Sequence, residues 1–414
     1  MKHSAWFLCL AWAASLAAAP LPISNPEAEA VNPARLERVN TLVKSFVESG
    51  KHAGVNVLIL RHGKVIHNVS FGLRDADLLK PMEPDTICRI YSMTKVVTGV
   101  ATLQLYEAGQ LQLDDPIAKY LPELKDLQVL TGGTADAPTL VLAKNQPTVR
   151  MCLNHTAGFT YDFFSGSPVH ELYKRADLWN AKGLEDFIQR VAKLPLLAEP
   201  GTAFNYSISD DVLGLLIQRV SGVNFEEYIA SHITSPLGME DTFFDVPTDK
   251  MDRLAKLHRQ DEKGKLRTIE PIIGAYAEPG RGLPAGGAGL FSTIGDYAKF
   301  AQMLANGGSL DGVRILSRKM WELGRLNSLG STANPLHSVG RGDGWGLFSG
   351  VRLNVADAGE PGTEGTLFWS GAATTHFFAD PGEDLVGLVF CQHDPFDPFG
   401  LFTRFRTAVY QALD

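Results

Sequence analysis

Ser92-Met93-Thr94-Lys95 places a lysine three residues after a serine, and no other serine of this 414-residue chain has a lysine at that spacing. Apolar residues continue at helical intervals until Gly109, a typical C-terminal cap, and predict a helix: Met93, Val96, Val97, Val100 and Leu103. Residues three apart share a helix face, so the Ser92 hydroxyl and the Lys95 amine should be neighbours. A desolvated lysine can take a proton from a serine, and the unpaired amides at a helix N-terminus suit developing negative charge. The stretch therefore predicts a nucleophile, a base and part of an oxyanion site.

The alternative is a chance pair on a solvated surface, because a chain of this length is expected to contain about one such spacing. Three observations favour the catalytic interpretation. The helix face that follows Ser92 is apolar enough to be buried, and Arg89-Ile90-Tyr91 leads into it. Two further motifs, described below, follow at suitable distances along the chain.

Composition limits the class of protein. Hydrophobic residues make up 45% of the chain, which is ample for a core, and the formal net charge is −8. The positive charges form no run or cluster, and phosphate binding needs such a cluster. Nucleic acid is therefore not an expected partner.

Motifs for metals and nucleotides are missing from the sequence. The eleven histidines show no metal-ligand spacing, and neither HExxH, GxSxG nor GxxxxGK[ST] occurs. Gly286-Gly287-Ala288-Gly289 lacks the strand–turn–helix setting of a dinucleotide site, so we interpret it as a close-packed turn. We expect no metal and no cofactor.

Residues 1–19 resemble a signal peptide. Lys2 precedes an apolar run, and alanine-rich sequence extends to Ala19. The segment is too short for a typical membrane span, although an N-terminal anchor or a buried helix remains an alternative. Cleavage after Ala17-Ala18-Ala19 or near Ala28-Glu29-Ala30 would fit. We expect an exported protein, periplasmic or secreted, without stable membrane insertion after cleavage.

Strand patterns lie at both ends of the chain, with helices between them. The sequence predicts one antiparallel β-sheet flanked by helices, built from residues 31–119 and 286–414, with a mostly helical inserted domain at 120–285. A loop is expected at 127–147, which is rich in Gly, Thr, Ala and Pro. Further predictions are helices at 33–49, 183–193, 209–221, 293–307 and 402–413, and strands at 55–60, 65–71, 366–369, 374–379 and 385–392. His62-Gly63-Lys64 predicts a hairpin between the first two strands, and Asp380-Pro381-Gly382 predicts a turn between the last two. Ser92 would lie where the two parts meet, a usual place for a cleft.

Two further motifs complete the candidate site. Phe204-Asn205-Tyr206-Ser207 precedes a helix that Ser209, Asp210 and Asp211 open, and Tyr206 there could exchange protons with a lysine. Trp369-Ser370-Gly371-Ala372 ends a strand, where the glycine would let a ligand approach the backbone and the Ala372 amide could be an oxyanion donor. The alternatives are a packed aromatic beside a turn and an ordinary strand end with a buried tryptophan.

Taken together, the motifs resemble the serine β-lactamase and penicillin-binding-protein superfamily, in the branch of class C-like β-lactamases and family VIII carboxylesterases. The similarity covers roughly residues 33–412, and it rests on five motifs in the right order. The supporting stretches are Tyr91 to Lys95, Leu153 to Gly158, Phe204 to Ser207, Gly286 to Thr293 with Asp296-Tyr297, and Trp369 to Gly371. The resemblance implies an α/β domain joined to a helical domain, with the active site between them.

The resemblance also implies roles. Ser92 would be the acylated nucleophile, Lys95 its general base, and Tyr206 the residue that relays the proton. Trp369-Ser370-Gly371 takes the place of the Lys-Thr-Gly triplet at the substrate, and Ala372 that of the oxyanion donor beside Ser92. The stretches 153–158 and 286–293 match motifs that are mainly structural.

Two departures from the β-lactamase pattern concern the substrate. Trp369 stands where a lysine would attract a substrate carboxylate, and Ile208 stands where Tyr-x-Asn has its amide. Both changes favour a small-molecule carboxylic ester over an anionic β-lactam. A β-lactamase, a D-Ala-D-Ala carboxypeptidase or an acyltransferase with the same acyl-enzyme remains an alternative, and a non-catalytic scaffold is disfavoured by the intact Ser92, Lys95 and Tyr206. The oligomeric state is left open.

Overall fold

Eight strands from the two ends of the chain form one antiparallel sheet in the computed structural model, which describes residues 17–270, 282–330 and 339–414. The strands in chain order are β1 (Gly54–Arg61), β2 (Lys64–Asp75), β3 (Lys80–Pro81), β4 (Cys88–Arg89), β5 (Gln128–Gly133), β6 (Pro138–Leu142), β7 (Leu257–Gln260), β8 (Leu266–Ile269), β9 (Phe291–Ser292), β10 (Ser309–Leu310), β11 (Val313–Arg314), β12 (Asp343–Trp345), β13 (Gly350–Arg352), β14 (Leu367–Gly371), β15 (Thr375–Asp380) and β16 (Leu385–Phe390). The order across the sheet is β12-β13-β14-β15-β16-β1-β2-β3.

Helices cover both faces of this sheet. The α-helices are α1 (Pro33–Glu48), α2 (Thr94–Glu107), α3 (Val149–Leu153), α4 (Pro168–Arg175), α5 (Leu184–Val191), α6 (Ser209–Ser221), α7 (Phe225–Ile229), α8 (Ile294–Ala305), α9 (Arg318–Gly324), α10 (Val355–Ala358) and α11 (Leu401–Tyr410). Short 3-10 helices lie at Pro26–Glu29, Tyr91–Met93, Ile117–Lys119, Pro122–Leu124, Leu178–Asn180 and Thr248–Arg253, and a π-helical turn lies at Ala230–Thr234.

Every residue of the central strands β1 and β16 is buried. Since successive side chains point to opposite faces of a sheet, both faces of these strands are covered. Val57 and Ile59 join the apolar layer under α1 and α11. Leu58 and Leu60 join the larger core that contains α2 and α8. The predicted sheet with helices on its faces is confirmed.

Turn chemistry sets the hairpins at both ends of the chain. His62 and Gly63 have positive φ values of 50° and 71° between β1 and β2, as the predicted hairpin requires. Asp380-Pro381-Gly382 turns the chain from β15 into β16, and the Asp380 carboxylate accepts the Gly382 amide at 3.0 Å. Both turns were predicted from their residues.

The middle of the chain contains more strand than predicted. The expected loop at 127–147 is wrong, because β5 and β6 pair across it as an antiparallel hairpin. Its glycines, alanines and prolines lie in the turn, at the strand ends beside it or after β6, while Thr139-Leu140-Val141-Leu142 is a β-branched and apolar run that favours an extended chain. A second hairpin, β7–β8, lies close to the end of the predicted helical domain at 120–285. The domain boundaries at 120 and 285 stay a prediction.

Most of the predicted signal peptide, residues 1–16, lies outside the described residues. Across the described ranges, no helix combines the length and the apolar character that crossing a membrane requires. Cys88, Cys152 and Cys391 are buried free thiols.

Candidate active site

A strained turn presents Ser92. Tyr91 has a positive φ of 40°, unusual for a residue with a side chain, and it opens the 3-10 helix that leads into α2. Tyr91 and Met93 are buried, whereas Ser92 between them is partly exposed. The Tyr297 hydroxyl stabilises the turn by donating to the Met93 carbonyl at 2.9 Å. The predicted helix therefore begins two residues after Ser92, yet the serine remains accessible at its N-terminus.

Lys95 lies directly behind the serine and is fully buried. Its Nζ is 3.4 Å from the Ser92 Oγ and donates to the carbonyl oxygen of Gly287 at 2.6 Å. The same nitrogen lies 4.7 Å from the ring centre of Tyr206 and 5.2 Å from that of Tyr161. The structure thus brings together the three side chains predicted to be catalytic.

Tyr206 is buried between Lys95 and the end of β14. Trp369 donates its indole N–H to the Tyr206 hydroxyl oxygen at 3.1 Å, and the two rings are 5.4 Å apart. A donated hydrogen bond stabilises negative charge on a phenol oxygen. Trp369 therefore does more than place an apolar side chain where a lysine would attract a carboxylate.

The end of β14 lies against the turn that carries Ser92. A Cβ added at Gly371 would overlap the carbonyl oxygen of Ile90, so only glycine lets the strand come this close. From the sequence we expected this glycine to let a ligand approach the backbone; in the structure it lets the strand approach the backbone that leads into the nucleophile. Ala372 follows in an exposed turn, and its amide donates to no group in the described residues. That amide is available as the predicted oxyanion donor.

Ser370 is held by a neighbouring strand. Its hydroxyl is 2.8 Å from Nδ1 of His376 on β15, and Arg406 of α11 lies 3.4 Å from the other ring nitrogen. Burial, helped by the Arg406 charge, holds the pKa of His376 well below its usual range. Because Arg406 can only donate, it donates to Nε2, and the neutral ring carries its proton on Nδ1 and donates it to the Ser370 hydroxyl oxygen, which orients this hydroxyl on the strand beside Trp369.

Two buried carboxylates behind Lys95 were not recognised as part of the site from the sequence. Asp210 and Asp211 were interpreted only as the opening of a helix, but both are buried in the first turn of α6. Burial raises the pKa of Asp211 to about 6 and that of Asp210 well above its usual range, while the nearby Lys95 charge opposes both shifts. The signal that could have revealed them is an acidic pair at the start of an otherwise apolar helix.

Gly287 also belongs to the site, although its motif was assigned a structural role. The close-packed turn predicted at 286–289 is confirmed, since a Cβ at Gly286 would overlap the Asp210 carbonyl. The Gly287 carbonyl nevertheless reaches the Lys95 amine. The motif at 153–158 was also assigned a structural role, and its contacts fit this. Nδ1 of His155 lies 3.3 Å from the Ser207 hydroxyl, and the His155 backbone carbonyl accepts the Asn205 amide. Ile208 is fully buried and presents no polar group where the amide of Tyr-x-Asn would lie.

Comparison with known proteins identifies the family of this chain. The beta-lactamase family model matches residues 39–411. An uncharacterized protein of Mycobacterium tuberculosis (strain CDC 1551 / Oshkosh) is 33% identical over 361 residues, which are 85% of this chain and 89% of the relative. Esterase EstB of Burkholderia gladioli is 28% identical over 380 residues, 86% of this chain and 90% of the esterase. The solved structure of EstCE1, a hydrolase with promiscuous acyltransferase activity, has a TM-score of 0.77 at 26% identity and covers 91% of this chain and 99% of its own. The chain therefore belongs to the beta-lactamase family.

Proposed function

We propose that the protein is a serine hydrolase that cleaves carboxylic esters through an acyl-enzyme on Ser92. Its family and its esterase relatives support a hydrolase. The observation that carries the proposal is a partly exposed serine hydroxyl 3.4 Å from a fully buried amine, with the Tyr206 ring against that amine. This is the arrangement of a nucleophile with an adjacent base.

Acylation begins when the proton of Ser92 passes to the Lys95 amine, which returns it to Tyr206 once Tyr206 has protonated the leaving group. The serine oxygen attacks the ester carbonyl, and the amides of Ser92 and Ala372 stabilise the oxyanion. When the intermediate collapses, the bond to the alcohol breaks, and the departing oxygen takes a proton from Tyr206. The products of this step are the free alcohol and an ester on Ser92.

Deacylation repeats these steps with water as the nucleophile. The proton of the water passes through Tyr206 to Lys95 and the hydroxide attacks the acyl carbon. The bond from that carbon to the Ser92 oxygen then breaks, and this oxygen takes the proton back. An acyltransferase would use an alcohol in place of water on the same acyl-enzyme. EstCE1 is a hydrolase with promiscuous acyltransferase activity, which favours an acyltransferase as the second candidate.

Trp369 supports an ester rather than a β-lactam as the substrate. Its indole occupies the place of a carboxylate-binding lysine, packs edge-on against Trp345 at 4.4 Å, and uses its N–H on Tyr206. No cation is supplied at this position, so a substrate carboxylate gains no charge-assisted bond there.

The test is hydrolysis of p-nitrophenyl butyrate by the wild type and Ser92→Ala. We expect the substitution to lower kcat by about 10⁴-fold or more, as in other serine enzymes. Undiminished turnover would exclude the mechanism. Turnover of nitrocefin measured beside the ester tests the substrate, and a clear preference for nitrocefin would favour a β-lactamase. Labelling with a fluorophosphonate separates an enzyme from a scaffold, and transfer to an added alcohol identifies an acyltransferase.

A further inference from the structure

A single peptide group connects a buried carboxylate to the amine behind Ser92. Asp211 lies in the first turn of α6 and has no exposed surface. Its Oδ1 accepts the amide N–H of Gly287 at 2.8 Å. The carbonyl oxygen of the same Gly287 accepts from the Lys95 Nζ at 2.6 Å. The carboxylate thus contacts one end of the glycine, and the lysine contacts the other.

Lys95 needs such support because a lysine side chain is long and flexible. Within the described residues, the hydrogen-bond partners of its amine are Gly287 and Ser92. If the Gly287 carbonyl moved, the amine would lose the contact that keeps it close to the serine. A catalytic group that is misplaced by about 1 Å can lose about 100-fold in rate.

We propose that Asp211 is a positioning residue for the hydrolysis: it fixes the Gly287 peptide so that its carbonyl holds the Lys95 amine against Ser92. The inference rests on the proposed function, since it assigns a role at the same site. Asp211 makes no hydrogen bond to Ser92 or Lys95 in the described residues, and in this role it acts through Gly287.

The close fit at Gly287 is an independent observation for this role. A Cβ added there would lie 2.6 Å from the Asp211 Oδ2 and 3.0 Å from the Tyr161 hydroxyl oxygen. A side chain at this position would therefore push the carboxylate away from the peptide that it holds. Burying Asp211 is also costly, since it raises the pKa of the carboxyl to about 6. A surface carboxylate would cap α6 without that cost.

The experiment compares Asp211→Ala, Asp211→Asn and Gly287→Ala with the wild type. With p-nitrophenyl butyrate, Asp211→Ala should lower kcat by about 100-fold and change KM by less than about threefold, because the lysine moves while the substrate pocket stays. Asp211→Asn should recover most of the loss, since its amide oxygen still accepts the Gly287 N–H. Gly287→Ala should resemble Asp211→Ala. The rate of fluorophosphonate labelling at Ser92 should fall in the same order.

Two matched controls separate this role from general support of the fold. Asp296→Asn changes another buried carboxylate that accepts a backbone amide, that of Asp241 at 2.7 Å. Gly295→Ala adds a methyl group where there is open space. Both should keep the wild-type kcat and labelling rate, even where thermal unfolding shows a change in stability.

The outcomes distinguish the two proposals. If Ser92→Ala is inactive but Asp211→Ala keeps the wild-type kcat and labelling rate, the positioning role is wrong and the hydrolase stands. If Ser92→Ala stays active, the hydrolase proposal itself fails. If Asp211→Ala does not fold, the other two variants decide. Wild-type rates in both Asp211→Asn and Gly287→Ala overturn the positioning role. A reduced kcat in Gly287→Ala, with a kcat close to the wild type in Asp211→Asn, supports it.

Discussion

Trp369→Phe removes one hydrogen bond from the candidate site and leaves most of its packing in place. The indole N–H of Trp369 donates to the Tyr206 hydroxyl oxygen at 3.1 Å. Phenylalanine has no such donor, but its ring can still lie against Trp345, which packs edge-on at 4.4 Å. The substitution therefore tests whether Trp369 assists Tyr206 or only shapes an apolar wall.

The size of the effect follows from the charge on Tyr206. The phenol oxygen gains negative charge whenever it passes its proton to the leaving alcohol. A hydrogen bond to a charged group contributes about 1.5–3 kcal/mol. Since about 1.4 kcal/mol corresponds to a factor of ten, kcat/KM should fall by about 10- to 150-fold. Trp369 is only partly buried, which favours the lower end of this range.

The assay is the kcat/KM for p-nitrophenyl butyrate in the wild type, Trp369→Phe and Trp321→Phe. Trp321 is a matched control, because it is buried and its indole N–H has no hydrogen-bond partner in the described residues. The control should retain the wild-type kcat/KM. A Trp369→Phe enzyme that also retains it would refute the reasoning, and Trp369 would then contribute packing alone.

Two other substitutions test the strand beside Ser92 and the response of the fold to acid. Gly371→Ala should lower kcat by about 100-fold or more, because its Cβ overlaps the Ile90 carbonyl and displaces the Ala372 amide; full activity would contradict this contact. His52→Phe should make folding less sensitive to acid. Burial, mainly, lowers the pKa of His52 to about 3, so below about pH 6.5 the unfolded chain takes up a proton that the folded chain does not. Lowering the pH from 7 to 5 should therefore reduce the free energy of unfolding of the wild type by about 2 kcal/mol through this histidine. Urea unfolding of both proteins at the two pH values measures this, and the assignment is wrong if the stability difference between wild type and variant is the same at both.

The sheet could be predicted because its signals are local. The turn at His62-Gly63 and the turn at Asp380-Pro381-Gly382 each interrupt apolar runs of strand length, so the terminal hairpins follow from neighbouring residues. The β5–β6 hairpin was missed because glycine, alanine and proline around its turn outweighed Thr139 to Leu142 in the composition. Such residues indicate a break in the chain but not how far the strands beside it extend.

The candidate site was predictable only in part. Ser92 and Lys95 come together through helical spacing, which the sequence carries directly. Tyr206 and Trp369 required the resemblance, because no local rule brings residues so far apart into contact. Asp211 was missed although an acidic pair opens an otherwise apolar helix, and the Gly287 carbonyl lay beyond sequence reasoning. An acidic residue at a helix start is usually a solvated cap, and a backbone carbonyl leaves no signal in the residue types.

The pairing of β1 with β16 has a consequence for how the protein is made. Asn56 lies opposite Phe390, so the middle of the sheet cannot form until nearly the whole polypeptide has left the ribosome. Until then the first hairpin carries an unpaired, strongly apolar edge, which is a template for association with other chains. Synthesis of this protein therefore includes a long interval in which chaperones would have to protect the nascent hairpin from aggregation.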